Sequence, residues 1–407
     1  MMRIKDNSLV SALPAWFLNL ANLDIRALQK QGFIIFPPNL NESEDLDEQF
    51  LLEYKNGDYR TTNLIGWLAE GDDKITIHSR FDDEKSDFFL NYMLQKVLKI
   101  NVINFNLGAS DEQFYDLLIY LFPYYLHQAL KKGIYKEYQR FEYNDFSIKG
   151  SLDIARHIKK NIPFLGKVAY QTHEFSYDNA VNQIIRHTIE FIKLKQPWNN
   201  ADFQKVREVT LSFKKSDLSK MLSKKISIKN PYFHEYIQLV QICKIILRRE
   251  KQGIGENKNF VKGILIDASW LWEEYLATIL RDYQHPKSNE SLYLQGHSGL
   301  VRPDFYNDKA RCIIDTKYKK VDSGIKRMDR FQIISYLHYR NATRAGLLYP
   351  GNKTKYETEG MLKGYGGEIF KISLAIPQNC ESYESFSKQI EIEENILLRE
   401  LEKENKL

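Results

Sequence analysis

Arg302-Pro303-Asp304-Phe305-Tyr306-Asn307-Asp308-Lys309-Ala310-Arg311-Cys312-Ile313-Ile314-Asp315-Thr316-Lys317-Tyr318 sets two short apolar runs on either side of an Asn-Asp-Lys turn. A β-hairpin is the economical reading of that pattern. With a two-residue loop at Asp308-Lys309, Asp304 falls opposite Ile313. Side chains alternate along a strand, so Asp304, Asp315 and Lys317 then point to one face of the sheet. Carboxylates and ammonium groups are seldom buried without partners, and this face sits on a hydrophobic strand. A bound cation resolves the conflict. Mg²⁺ takes a few carboxylate oxygens and keeps several waters, so Asp304, Asp315 and the backbone carbonyl of Thr316 are its candidate ligands. Lys317 beside such an ion can orient or deprotonate a water, while the ion neutralises charge on a phosphate. The plain alternative is a surface hairpin with a cross-strand ion pair, which is common and contributes little.

Outward from the hairpin, helical periodicity covers 268–283 and 327–339, and an apolar run at 345–349 reads as a strand. This alternation predicts an α/β domain with a mixed central sheet. Glu273, in Leu271-Trp272-Glu273-Glu274-Tyr275, puts an acidic group on a helix that must pack near the hairpin, and is a further candidate metal carboxylate. Gln332 and Tyr336 are four apart and share a helical face, where they can contact substrate or orient the site; an ordinary amphipathic helix accounts for them equally well. Lys319, Lys320, Lys326, Arg327 and Arg330 lie where phosphate contacts are needed, or else form a solvated basic face. The nine histidines make no ligand pair, and His297 is the one nearest the hairpin in sequence.

The rest of the chain sets limits. Its 407 residues exceed a single core of about 250–300 residues, so several domains are expected. We read a mixed N-terminal region at 1–105, a mainly helical middle at 106–255, an α/β domain at 256–390 and a charged helical tail at 391–407. Strands are expected at 33–36 and 74–78, and helices at 88–98, 114–132, 179–195 and 232–248, with Gly133 as a C-cap. The acidic run 41–49 reads as a loop and 250–259 as a linker. A net charge of +5 fits nucleic-acid binding without requiring it. Cys243, Cys312 and Cys380 are too scattered for a zinc site or a disulfide framework, which points to a reducing cytosol. The N-terminus shows no signal-peptide pattern and no apolar run reaches the roughly 20 residues of a membrane span, so a cytoplasmic location without membrane contact is expected. Gly346 to Thr354 nearly matches a phosphate loop, but Asn352 separates Gly351 from Lys353 and Pro350 removes an amide. It reads as a strand end and turn, and no nucleotide is expected on this chain. A Ser/His/Asp hydrolase lacks its GxSxG elbow.

Pro303-Asp304, then Asp315-Thr316-Lys317, then Gln332 and Tyr336 resemble the PD-(D/E)xK nuclease superfamily with a QxxxY helix. More closely, the chain resembles the McrC family, the nuclease subunit of McrBC-type restriction systems, including its LlaJI-like branch. The cues are Gly133-Ile134-Tyr135 with Tyr138, Ile148-Lys149-Gly150-Ser151-Leu152-Asp153, Asn182 after Tyr177-Asp178, Leu271-Trp272-Glu273, the nuclease set, and Leu347 to Pro350. They span about 114–350. The resemblance implies a restriction-endonuclease-like C-terminal domain in which Asp304 and Asp315 bind Mg²⁺ and Lys317 serves the attacking water. It also implies DNA as substrate, and an N-terminal part docked on an oligomeric McrB-like AAA+ GTPase that this subunit stimulates. Two other readings stay open: a standalone nuclease of the same superfamily, and a regulatory subunit of an AAA+ partner with a vestigial site.

Overall fold

The computed structural model describes residues 2–31, 33–37, 50–70, 73–83, 86–98, 111–195, 200–224, 226, 228, 230–252, 263–286, 290–294, 297–321, 324–364 and 366–404. The acidic run 41–49 and most of the expected linker lie outside them. The chain forms two compact units, one built from 1–114 with 258–407 and the other from 115–257. The stretches read separately as 1–105 and 256–390 therefore belong to one unit, with the middle region inserted between them.

In the first unit, Met2–Lys5 (β1), Phe33–Phe36 (β2), Leu64–Glu70 (β3), Asp73–His78 (β4) and Gly263–Asp267 (β5) form a sheet in the order β1-β4-β3-β5-β2. Although β5 follows the inserted unit in the chain, it pairs antiparallel to β3 and parallel to β2. Its residues Gly263-Ile264-Leu265-Ile266-Asp267 are buried throughout, as expected of a strand flanked on both sides. Glycine is required where β3 and β5 meet: a Cβ on Gly66, at φ +150°, would lie 2.0 Å from the Ile264 carbonyl oxygen. Asp267 ends β5 and caps the next helix by accepting from the Ser269 and Trp270 amides. Packed on this framework are Phe88–Leu98 (α1) and Ala268–Ile279 (α2), with Phe89 edge-on to Trp272 and Tyr92 to Tyr275.

A second sheet in this unit contains Phe305–Asn307 (β6), Cys312–Thr316 (β7), Arg344–Gly351 (β8), Lys355–Met361 (β9) and Glu368–Ala375 (β10), ordered β6-β7-β8-β10-β9. The β7-β8 and β8-β10 pairs are parallel, while both edges are antiparallel. Arg327–Tyr339 (α3) is the crossover between β7 and β8, burying Ile333, Tyr336 and Leu337 against Ile313, Ala345, Leu347 and Ile369. Tyr383–Glu404 (α4) packs along the sheet and lends Glu394 to hydrogen bonds from Tyr92 and Tyr275. This is the mixed α/β architecture expected from the sequence. The chain entering the hairpin forms two strands, His297–Val301 and Phe305–Asn307, broken at Arg302-Pro303-Asp304, where proline supplies no amide. The strands β9 and β10 were not anticipated.

In the second unit, Asp111–Lys131, Ala180–Lys195 and Glu235–Gln252 are the expected helices, and Gly133 adopts φ +87° just past the first. The region is less helical than its periodicity suggests. Glu137–Asp145 and Val168–Ser176 form a long antiparallel pair, joined by Ser151–Leu152. Beyond it, Phe146, Ile148, Ile154, Ile162, Phe164 and Leu165 are all more than half exposed. Among the described residues no helix is long and apolar enough to cross a membrane.

Candidate active site

Hairpin pairing is Phe305↔Ile314, Tyr306↔Ile313 and Asn307↔Cys312, so the loop is four residues, 308–311, and not two. Asn307 stabilises it by accepting the Ala310 amide at 3.0 Å, and Arg311 takes φ +46°. Extending the register one step brings Asp304 opposite Asp315, where the two-residue loop had it opposite Ile313. A slip of two residues preserves which face each side chain takes, so the expected sharing of a face survives the corrected register.

Each acidic residue is held differently. Asp304 Oδ2 accepts from both the Thr316 amide, at 2.6 Å, and the Thr316 hydroxyl, at 2.9 Å. Asp304 Oδ1 takes neither bond. Thr316, expected to offer its carbonyl to a metal, is thus seen fixing a carboxylate through its two donors. Asp315 is buried to 1 % exposure, and burial followed by repulsion from Asp304 pushes its carboxyl up to about 7, against the opposing pull of Lys317. Lys317 Nζ lies 2.8 Å from Asp315 Oδ2. Burial disfavours the Lys317 ammonium, but the charges of Asp315 and Asp304 outweigh it and hold its pKa above the usual lysine value. The side chain is therefore a hydrogen-bond donor, suited to orienting a water more than to deprotonating one.

Gln332 and Tyr336 join this chain of contacts. Lys317 Nζ donates to Gln332 Oε1 at 3.2 Å, and Gln332 Nε2 donates to the Tyr336 hydroxyl at 2.9 Å. The i,i+4 spacing on α3 therefore serves to position the lysine. Of the basic group, Lys319 is ion-paired with Asp329 at 2.7 Å and Arg330 with Glu359 at 3.8 Å, while Lys320, Lys326, Arg327 and Arg330 are exposed.

Glu273 stands beside a histidine: its Oε1 lies 3.6 Å from His285 Nε2, and Glu274 Oε1 lies closer, at 3.3 Å. The other ring nitrogen, His285 Nδ1, donates to the Asp304 backbone carbonyl at 2.8 Å, and the ring stacks on Phe305. His285 escaped the sequence reading because its partner is 19 positions away and its neighbours are unremarkable; the β-bridge Gln284↔Tyr306 delivers it. The side chain of His297 lies outside the described residues.

Among the described residues, no group of three or more His, Cys, Asp or Glu side chains is arranged to hold a metal ion. Asp304 and Asp315 nonetheless fit Mg²⁺, an ion that takes one or two protein carboxylates and keeps its waters. Their mutual repulsion, visible in the raised Asp315, is what a divalent cation relieves.

The model of the family described as "McrBC 5-methylcytosine restriction system component" matches residues 59–350, more than half of the chain. No curated protein matches. Among the solved structures that the chain is similar to are two of Thermococcus gammatolerans. One is a half-complex of McrB AAA+ hexamers with bound McrC, at 14% identity over 96% of this chain and 99% of that one, with a TM-score of 0.40. The other is an McrBC complex, at 14% identity over 69% and 87%, with a TM-score of 0.28. Likeness at that level carries no argument, and the assignment rests on the match across 59–350: the chain belongs to the McrBC family of restriction-system components, as its McrC-like motifs lead one to expect.

Proposed function

We propose that this chain is the Mg²⁺-dependent endonuclease subunit of a McrBC-type system, hydrolysing DNA phosphodiesters and working with a partner AAA+ GTPase that it stimulates. The observation that carries the reading is the continuous set of contacts Asp304–Thr316 and Asp315–Lys317–Gln332–Tyr336 on one sheet and one helix. A surface ion pair has no need of a buried carboxylate with a second one facing it across the hairpin, nor of a glutamine and tyrosine clamping the lysine.

In this reading Asp304 and Asp315 hold the cation, which when bound supplies positive charge at the phosphate and a more acidic water. Thr316 fixes the Asp304 carboxylate. Lys317, kept as an ammonium, donates to the attacking water or to the phosphate, and Gln332 with Tyr336 keeps it aimed. His285, itself steadied by Glu274 and Glu273, braces the Asp304 backbone, so those glutamates position the site through it. Lys320, Lys326, Arg327 and Arg330 line the approach of the phosphate backbone, with Lys319 tied to Asp329. The partner reading is supported by the exposed apolar residues Phe146, Phe164 and Leu165, the kind of surface a binding partner covers.

The test is DNA cleavage by the purified chain with Mg²⁺, with and without its AAA+ partner and GTP. Cleavage is expected only with the partner, and is expected to vanish with EDTA and in Asp304→Ala. Cutting by Asp304→Ala at the wild-type rate would refute the site. Cutting without partner or GTP would favour a standalone nuclease.

A further inference from the structure

The helix α3 that supplies Gln332 opens with Lys326-Arg327-Met328-Asp329-Arg330-Phe331. Its core-facing residues are Ile333, Tyr336 and Leu337, and Asp329 turns in to pair with Lys319. Met328 and Phe331 do neither: Met328 is 76% exposed and Phe331 51% exposed. Met328, Gln332 and Tyr336 are successive i,i+4 neighbours, so Met328 sits one turn before the glutamine that holds Lys317. The Arg327 guanidinium stands 5.3 Å over the Phe331 ring. An aromatic and a thioether are thus left in water beside the candidate nuclease site, interleaved with Lys326, Arg327 and Arg330.

This mixture identifies its occupant. A second copy of the chain presenting the same face would bring like-charged clusters together, and two apolar side chains are far from the roughly 800 Å² per partner of a stable interface. A polyanion with flat apolar faces satisfies both halves of the patch: phosphates meet the cations and bases stack on the ring, the combination by which proteins grip unpaired nucleic-acid strands. We infer that Met328 and Phe331 are a stacking contact for an unpaired or unstacked base adjacent to the scissile phosphate. The inference rests on the nuclease reading of Asp304, Asp315 and Lys317. It makes the preferred substrate a DNA strand locally opened at the cut.

The experiment uses the full-length chain in EDTA, so that binding is read without cleavage. Oligonucleotides carry 2-aminopurine as a single strand, at an internal bulge or within a perfect duplex, and affinity and fluorescence are measured across a salt series. Wild type is expected to bind the single strand and the bulge more tightly than the duplex and to change 2-aminopurine fluorescence. Met328→Ala/Phe331→Ala, with an unchanged melting temperature, is expected to lose about tenfold or more of that affinity, the loss of one stacked base, without change in salt dependence. Phe331→Tyr is expected to keep it, and Arg327→Gln to reduce the salt dependence. Equal affinity of the double variant and wild type for all three DNAs overturns the inference, as does a wild type that binds none of them. A double variant that binds DNA normally but shifts from dimer to monomer on sedimentation overturns it in favour of a second copy. If the fluorescence result holds while wild-type chain, partner and Mg²⁺ cut nothing, the nuclease reading fails and the stacking site stands.

Discussion

Asp315 is the residue at which stability and function pull apart. Its carboxyl is pushed from an ordinary 3.8 up to about 7, first by burial and then by Asp304. The folded value lies above the unfolded one, so the protonated form is the one folding favours. The stability tied to this group is complete below pH 4 and is lost as the pH rises through about 7. Asp315→Asn removes that loss. In EDTA at pH 8 the variant is expected to melt a few degrees above wild type, with the gap closing by pH 4; a lower melting temperature at pH 8 would show that the Lys317 pair outweighs burial. Asp304, Asp315, Lys317, Gln332 and Tyr336 could be singled out in the sequence because residue types and strand or helix spacing put them on shared faces and their order matched the family motif. His285 could not, since its link to Asp304 depends on a bridge between distant segments. Glu273 was only half legible: its helix was plain, but its partner was hidden.

At the scale of elements, α3 was legible from the helical spacing of Ile333, Tyr336 and Leu337, and β7 from a short apolar run, Cys312-Ile313-Ile314, which is buried throughout. The pair Glu137–Asp145 and Val168–Ser176 was not, because exposed and partly buried positions alternate with aromatic and charged residues alike, leaving no apolar stripe to read. The near match to a phosphate loop also finds its explanation here. Gly346 lies inside β8, where a Cβ would stand 2.4 Å from the Phe370 ring and 2.5 Å from its carbonyl oxygen, and on Gly351 it would stand 2.8 Å from the Ser373 Cβ. These glycines admit close packing of β8 on β10. Phe370 is itself stacked on Tyr356 at 4.8 Å and has little room to yield. Gly346→Ala is expected to destabilise the protein by about 1–3 kcal/mol in urea unfolding. A loss under about 0.5 kcal/mol would mean that the sheet gives way more easily than this packing implies.

At the scale of the whole molecule, chain order and spatial order diverge. The sequence reads as consecutive regions, yet β5 lies between β3 and β2, strands that precede it by some two hundred residues. Local patterning carries no record of such a return, which is why the sharing of one unit by both ends of the chain was invisible. It follows that 258–407 expressed alone leaves both edges of β5 unpaired and the Phe89 and Tyr92 faces of α2 bare. That fragment is expected to be insoluble by itself and to become soluble when co-expressed with 1–114. A folded, monomeric 258–407 would contradict the topology.

The central claim, that this shared unit cuts DNA at the Asp304–Asp315–Lys317 site, is tested most directly by the single-turnover cleavage rate of Lys317→Met. The assay uses the assembled complex with Mg²⁺ and GTP, with DNA binding and melting temperature measured in parallel. The account predicts a rate at least about 100-fold below wild type with binding and folding retained, because the variant loses the donor that orients the attacking water. A rate equal to wild type would contradict it.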